Sequence, residues 1–252
     1  MNRIVSKAAV ALAFILAQPT IANAAQMQVW TARAIGTVLA ELGPQFERTT
    51  GNHLNIYEGL PADFQRRYNA GDAFDVLISA SGPVAKWIKE GKLVAGTRTN
   101  VARGGIGVEV RAGAPKPDIG SVEAFKRAML DAKSIAYLRV GSGVLVAKTL
   151  ERLGIAEAVK PKVVQPKTDI VSELVAKGEV ELGLVVITQI LATPGVELVG
   201  PLPPQIQSYV VFTGAVGTKA KAPDAANALL KFLAGPTAVP VLKAHGMEPP
   251  AL

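Results

Sequence analysis

The stretch QVWTARAIGTVLAELGPQFERTTG, residues 28–51, decides the reading of the fold. Gln28 to Thr31 reads as a strand. Ile35, Val38, Leu39, Leu42 and Phe46 then recur at helical spacing, and Gly51 stops that helix. Downstream the strand–helix unit repeats. His53 to Tyr57 is expected as a second strand, Ala62 to Asn69 as a helix and Phe74 to Ile78 as a third strand. Pro83 opens another helix carrying Val84, Trp87 and Ile88, which Gly91 closes. A β-α-β-α-β-α order predicts an α/β fold with a mostly parallel sheet covered by helices on both faces.

From Gly104 the composition changes. Gly104-Gly105-Ile106-Gly107 leads into Val108 to Val110 and the turn-rich stretch Gly113 to Pro117. A second alternating unit follows: helix Val122–Leu130, strand Ser134–Leu138, helix Val144–Leu153, strand Lys162–Val164, helix Ile170–Ala176, and strands Leu182–Val186 and Val196–Val199. Gly200 to Pro204 is a stiff link. The β-rich Tyr209–Val216 and two helical segments, Asp224–Leu233 and Thr237–Ala244, form a tail long enough to return to the first unit. This organisation predicts two lobes, residues 25–103 plus 206–252 and residues 104–205, joined by crossings near Arg103–Val108 and Gln205–Phe212. A ligand in such an arrangement belongs in the cleft outside the C-terminal ends of the strands.

The N-terminus carries Arg3 and Lys7, a short apolar run from Ala8 to Ala17, Pro19 and the triplet Ala22-Asn23-Ala24. That order is a secretory signal peptide over residues 1–24, with export to the periplasm. The run is about half the ~20 residues of a membrane-spanning helix. Removing Arg3 and Lys7 leaves 25 Lys+Arg against 20 Asp+Glu, a net charge of +5 on the mature chain. Export, sparse aromatics and the lack of a Lys/Arg run argue against nucleic acid, and the mild positive balance suits anions. With no Cys and only His53 and His245, there is little material for a metal site or a catalytic triad, so neither metal nor cofactor is expected.

The candidate ligand-binding residues sit at strand–helix junctions. Thr31-Ala32-Arg33 precedes the first helix, where unpaired N–H groups and the positive dipole end suit an anion. Arg33 adds a planar fork matched to a carboxylate or tetrahedral oxyanion. The plainer reading is an N-cap threonine beside a solvated arginine. Ser79 and Ser81 occupy the corresponding loop after the third strand, with Ser81 equally readable as a helix cap. Arg139, Ser142 and Gly143 repeat the pattern in the second unit, where the glycines also fit a turn needing positive φ. Thr188 is a further candidate, and Arg103 either lines the cleft or faces solvent. These loops supply mainly donors, which favours an anion over a sugar or a metal.

Several stretches also resemble periplasmic molybdate-binding-protein-like solute receptors. They are Val29 to Ala34 with Thr50-Gly51, Ala70 to Ser79, Leu150 to Ile155, Ala176 to Gly183 and Gly195 to Pro203. The resemblance spans nearly all of the mature chain, in order. It implies a two-lobed type II periplasmic-binding-protein fold with two crossover strands that closes around its ligand. It further implies a monomer serving an ABC permease in the inner membrane. The chain departs from the pattern at its ligand loops. Arg33 stands in the first, and Glu58-Gly59-Leu60-Pro61 lacks the serines of the second. An arginine there favours carboxylates. A subgroup with this pattern resembles aconitate isomerase, and an isomerase needs a general acid/base. The candidates are Glu58, Asp63, Tyr137 and the hydroxyls of Thr31 and Ser142. Asp75 reads as a structural residue opening a strand.

Overall fold

The computed structural model describes residues 25–166 and 170–250; the expected signal peptide lies outside the described residues. The first strand–helix units are β1 (Gln26–Thr31), α1 (Arg33–Thr50), β2 (His53–Glu58), α2 (Pro61–Asn69), β3 (Val76–Ala80) and α3 (Ser81–Lys89). A single long strand, β4 (Thr99–Arg111), follows. Then come α4 (Val122–Asp131), β5 (Ile135–Ala136), α5 (Ser142–Arg152), α6 (Ala156–Val159) and β6 (Val163–Val164). The next elements are α7 (Val171–Ala176), β7 (Leu182–Val186), α8 (Ile187–Ala192) and β8 (Val196–Pro201). The chain closes with β9 (Tyr209–Val216), α9 (Pro223–Ala234), α10 (Val239–Ala244) and β10 (Met247–Glu248).

The strand order is β2-β1-β3-β9-β4-β7-β5-β6, with β8 and β10 also pairing with β4. Pairing is parallel within β2-β1-β3 and within β7-β5-β6, as βα units dictate. It is antiparallel wherever β4 or β9 takes part, so the sheet is mixed and the expected mostly parallel sheet holds only for its two flanks. The first part of β4 pairs with β9 from Thr99 to Gly105. The second part pairs with β7 and β8 from Ile106 to Arg111. At Ile106 the outgoing and returning chains run side by side. Ile106 N–H donates to the Ser208 carbonyl at 3.2 Å, and Leu202 N–H donates to the Ile106 carbonyl at 3.1 Å. Gln207 clamps the same residue, its Oε1 accepting from Ile106 N–H and its Nε2 donating to Ile106 O.

The glycines at 104–107 therefore lie inside a continuous strand and do not lead into a new one. A β-carbon at Gly107 would stand 2.8 Å from Ile187 Cγ1, so close packing of α8 excludes a side chain there. Ile35, Val38, Leu39, Leu42 and Phe46 of α1 are all buried, which confirms the face that their spacing predicts. On the other side of β1, Trp30 stacks on Phe74 with centroids 4.7 Å apart. Phe64 and Trp87 complete that cluster. Asp75 is 3 % exposed. It accepts N–H bonds from Gln28 (2.7 Å), Lys221 (2.6 Å) and Ala222 (2.9 Å), tying β1 to the approach of α9. Its structural role stands as expected.

Candidate functional site

A cavity of about 340 Å³ opens where the strand–helix junctions of both flanks meet the start of β9. That volume lies at the small end of ligand pockets. The residues immediately before α1, α2, α3 and α5 all line it: Ala32, Leu60, Ala80 and Gly141. Three of these helices, α1, α3 and α5, begin without a side-chain cap. The first-turn N–H groups have no carbonyl one turn back to bond, although Ile35 N–H donates to the Ala32 carbonyl and Gly143 N–H to the Val140 carbonyl. The positive dipole ends lie at the cavity. At α2 the position is already taken. Its first residue is Pro61, and Asp63 Oδ2 accepts from Leu60 N–H at 3.0 Å. That hydrogen bond, aided by Arg66 and Arg33, holds the Asp63 carboxyl below its ordinary range against a smaller effect of burial.

Arg33, Ser79, Ser81 and Ser142 bring polar side chains to this cavity, as the sequence anticipates for those loops. Ser81 is the first residue of α3 and does not cap it, since Ala80 holds the capping position. The loop to α5 is shaped by two glycines. Gly141 takes φ of 59°, and a β-carbon at Gly143 would fall 1.5 Å from the Leu138 carbonyl oxygen. Gly143 therefore supports the cavity wall without lining it. The strand before this loop is shorter than expected. β5 pairs with β6 and β7 only through Ile135 and Ala136, after which the chain rises towards the cavity at Leu138.

Other candidates lie elsewhere. Thr31 is fully buried and outside the cavity lining, and its hydroxyl donates to the Ala32 carbonyl at 3.3 Å. It is not the cap of α1 either, because that position is Ala32. Arg139 lines a separate cavity with Tyr137 and Glu151. Burial, with Glu151 adding to it, pushes the Tyr137 hydroxyl above its ordinary pKa. Thr188 is the second residue of α8 and lines a second, adjoining cavity together with Glu58. Arg103 forms an ion pair with Glu248 and lies 4.6 Å from the Tyr209 ring centroid, so it holds the cavity wall in place.

The walls are more apolar than the loop sequences alone suggest. Leu138, Val140, Val144, Val186, Val210 and Phe212 all line the cavity. Tyr209 adds a phenol, raised above its ordinary pKa by burial first and then by Glu248. A signal for Tyr209 was present, because it falls within the predicted Gln205–Phe212 crossing and a cleft lies between crossings. Val140 and Val144 carried none beyond flanking Ser142. Among the described residues, no carboxylate, imidazole or lysine lines this cavity. The arrangement can accept the oxygens of an anion at one end and apolar surface at the other.

The chain is similar to known proteins over nearly its whole described length. The chain is 30% identical over 246 residues to an aconitate isomerase from Pseudomonas sp., covering 94% of each chain. It is 30% identical over 235 residues to the molybdate-binding protein ModA of Azotobacter vinelandii, covering 89% of this chain and 90% of the relative. The solved periplasmic molybdate-binding protein of Azotobacter vinelandii superimposes with a TM-score of 0.73 at 21% identity. That match covers 89% of this chain and all of the other. Residues 27–248 match the family described as bacterial extracellular solute-binding protein. The chain belongs to that family.

Proposed function

We propose that the protein is the periplasmic receptor of an ABC-type uptake system and binds one small anion, an oxyanion or a short carboxylate, in the 340 Å³ cavity. The observation that carries this reading is the convergence of three uncapped helix N-termini with Arg33, Ser81 and Ser142. Residues 25–103 plus 206–252 act as one lobe and 104–205 as the other. The loops of α1 and α3 belong to the first, the loop of α5 to the second. A ligand touching both stabilises the closed form, and the permease reads that form. The protein acts as a monomer without cofactor, exported by residues 1–24.

The test is a thermal-shift screen of the chain from residue 25 against molybdate, tungstate, sulfate, phosphate and short mono-, di- and tricarboxylates. A ligand at 100 times its Kd adds about 2.7 kcal/mol, which for a chain of this size raises Tm by about 5–10 °C. In Arg33→Ala the responding anion loses about 1.5–3 kcal/mol of affinity, the range for a hydrogen bond to a charged group. An unchanged Kd removes Arg33 from the site.

A second reading, an isomerase of a small tricarboxylate, is favoured by the 30% identity to aconitate isomerase over 94% of both chains. Against it, no carboxylate or imidazole among the described residues lines the first cavity as a general base, and the candidate Glu58 lies in the adjoining one. Turnover of cis- or trans-aconitate followed by NMR separates the two. Stoichiometric binding without conversion keeps the receptor, and conversion replaces it.

A further inference from the structure

A second cavity, of about 320 Å³, adjoins the first and shares Arg33, Ala34 and Gln189 with it. Its polar character is different. Thr37 and Thr188 line it, and their hydroxyl oxygens are buried with no hydrogen-bond partner among the described residues. Thr188 is 1 % exposed. A buried hydroxyl left unpaired is costly, so two beside one cavity mark a place where a polar group completes the structure. Glu58 lines the same space. Its carboxylate lies against α1, where a β-carbon at Gly36 would be only 1.9 Å from Oε1. Glu173 adds a second acidic side chain.

Ionised carboxylates only accept hydrogen bonds, and threonine hydroxyls accept as well as donate. Arg33 lines this space too, but the carboxylates of Glu58 and Glu173 outnumber it, so the set as a whole is acidic and favours a cation over a second carboxylate. Arg33 and Thr37 are separated by one turn of α1, an axial rise of about 6 Å. The two cavities therefore present an anion site and a cation-accepting site about that far apart. We propose that the second cavity is a distal subsite for the ammonium end of an ω-amino carboxylate whose carboxylate sits at Arg33 and the helix N-termini. This rests on the reading of the first cavity as an anion site. A tetrahedral oxyanion occupies the first cavity alone.

The experiment is isothermal titration of the mature chain with 5-aminopentanoate, pentanoate, glutarate and molybdate. The expected result is that 5-aminopentanoate binds about tenfold more tightly than pentanoate or glutarate, a ratio within reach of one charged hydrogen bond. In Thr188→Val, and separately in Thr37→Val, the ratio of the 5-aminopentanoate and pentanoate constants falls to about twofold. Valine keeps the shape of threonine, so a packing defect weakens both acids together and leaves the ratio intact; that outcome overturns the proposal. Glutarate binding more tightly than 5-aminopentanoate overturns it too. Binding of molybdate with silence from all three organic acids removes the distal subsite and leaves the anion receptor standing. Silence from all four probes likewise removes the distal subsite, while the anion site is decided by the wider thermal-shift panel.

Discussion

At the residue scale, three acidic side chains show how environment assigns a role. Asp75 is buried and accepts three backbone N–H bonds, so its charge is spent on architecture. Asp75→Ala leaves those donors unpaired and is expected to cost about 3 kcal/mol in urea unfolding, the upper range for hydrogen bonds to a charged group. Asp63 is held ionised by the Leu60 N–H and occupies the start of α2 that an anion would otherwise use. Glu109 differs from both. It is fully buried in β4, takes one hydrogen bond from Ser172 at 3.0 Å, and leaves Oε2 unpartnered. Burial raises its pKa from 4.5 to about 7, with the Ser172 bond opposing. Below about pH 4.5 both folded and unfolded chains are protonated here. Between there and about pH 7 the unfolded chain ionises while the folded chain keeps its proton, so stability falls as pH rises; above that the loss is complete. The wild type is expected to lose on the order of 3 kcal/mol more stability than Glu109→Gln between pH 4.5 and 8. Parallel pH curves for the two proteins exclude this role for Glu109.

At the scale of elements, the loop from Leu138 to Gly143 controls what α5 contributes. A methyl group at Gly143 cannot coexist with the Leu138 carbonyl at 1.5 Å, so Gly143→Ala must push the loop away from its helix. The expected cost is about 1–3 kcal/mol of stability, as for overpacking, together with weaker anion binding because Ser142 and Gly141 move. An unchanged Tm and Kd exclude this account of the loop. Legibility in the sequence follows the same division. Helix α1, the strand–helix alternation and the loops holding Arg33, Ser81 and Ser142 were readable, because periodicity and loop position are local properties. The continuity of β4 was not, because glycines signal breaks until the neighbours that exclude a side chain are known. Arg139 and Thr31 fall outside the lining of this cavity for a related reason. Sequence names the loop, but the direction of each side chain depends on where β5 ends and on how deeply β1 is covered.

At the scale of the whole molecule, the two chain crossings meet at Ile106, which Gln207 clamps on both its N–H and its carbonyl. On either side stand flanks of parallel strands whose helix N-termini face a common cavity lined by Tyr209 and Phe212 of the returning strand. In the proposed arrangement one anion occupies that cavity and is held from both flanks. The most direct measurement is a crystal structure of the mature protein with the anion that gives the largest thermal shift. The expected result is an anion whose oxygens lie about 2.7–3.2 Å from the Arg33 guanidinium, the Ser81 and Ser142 hydroxyls and the first N–H groups of α1, α3 and α5. An anion bound outside the cavity, or held by one flank alone, contradicts the account.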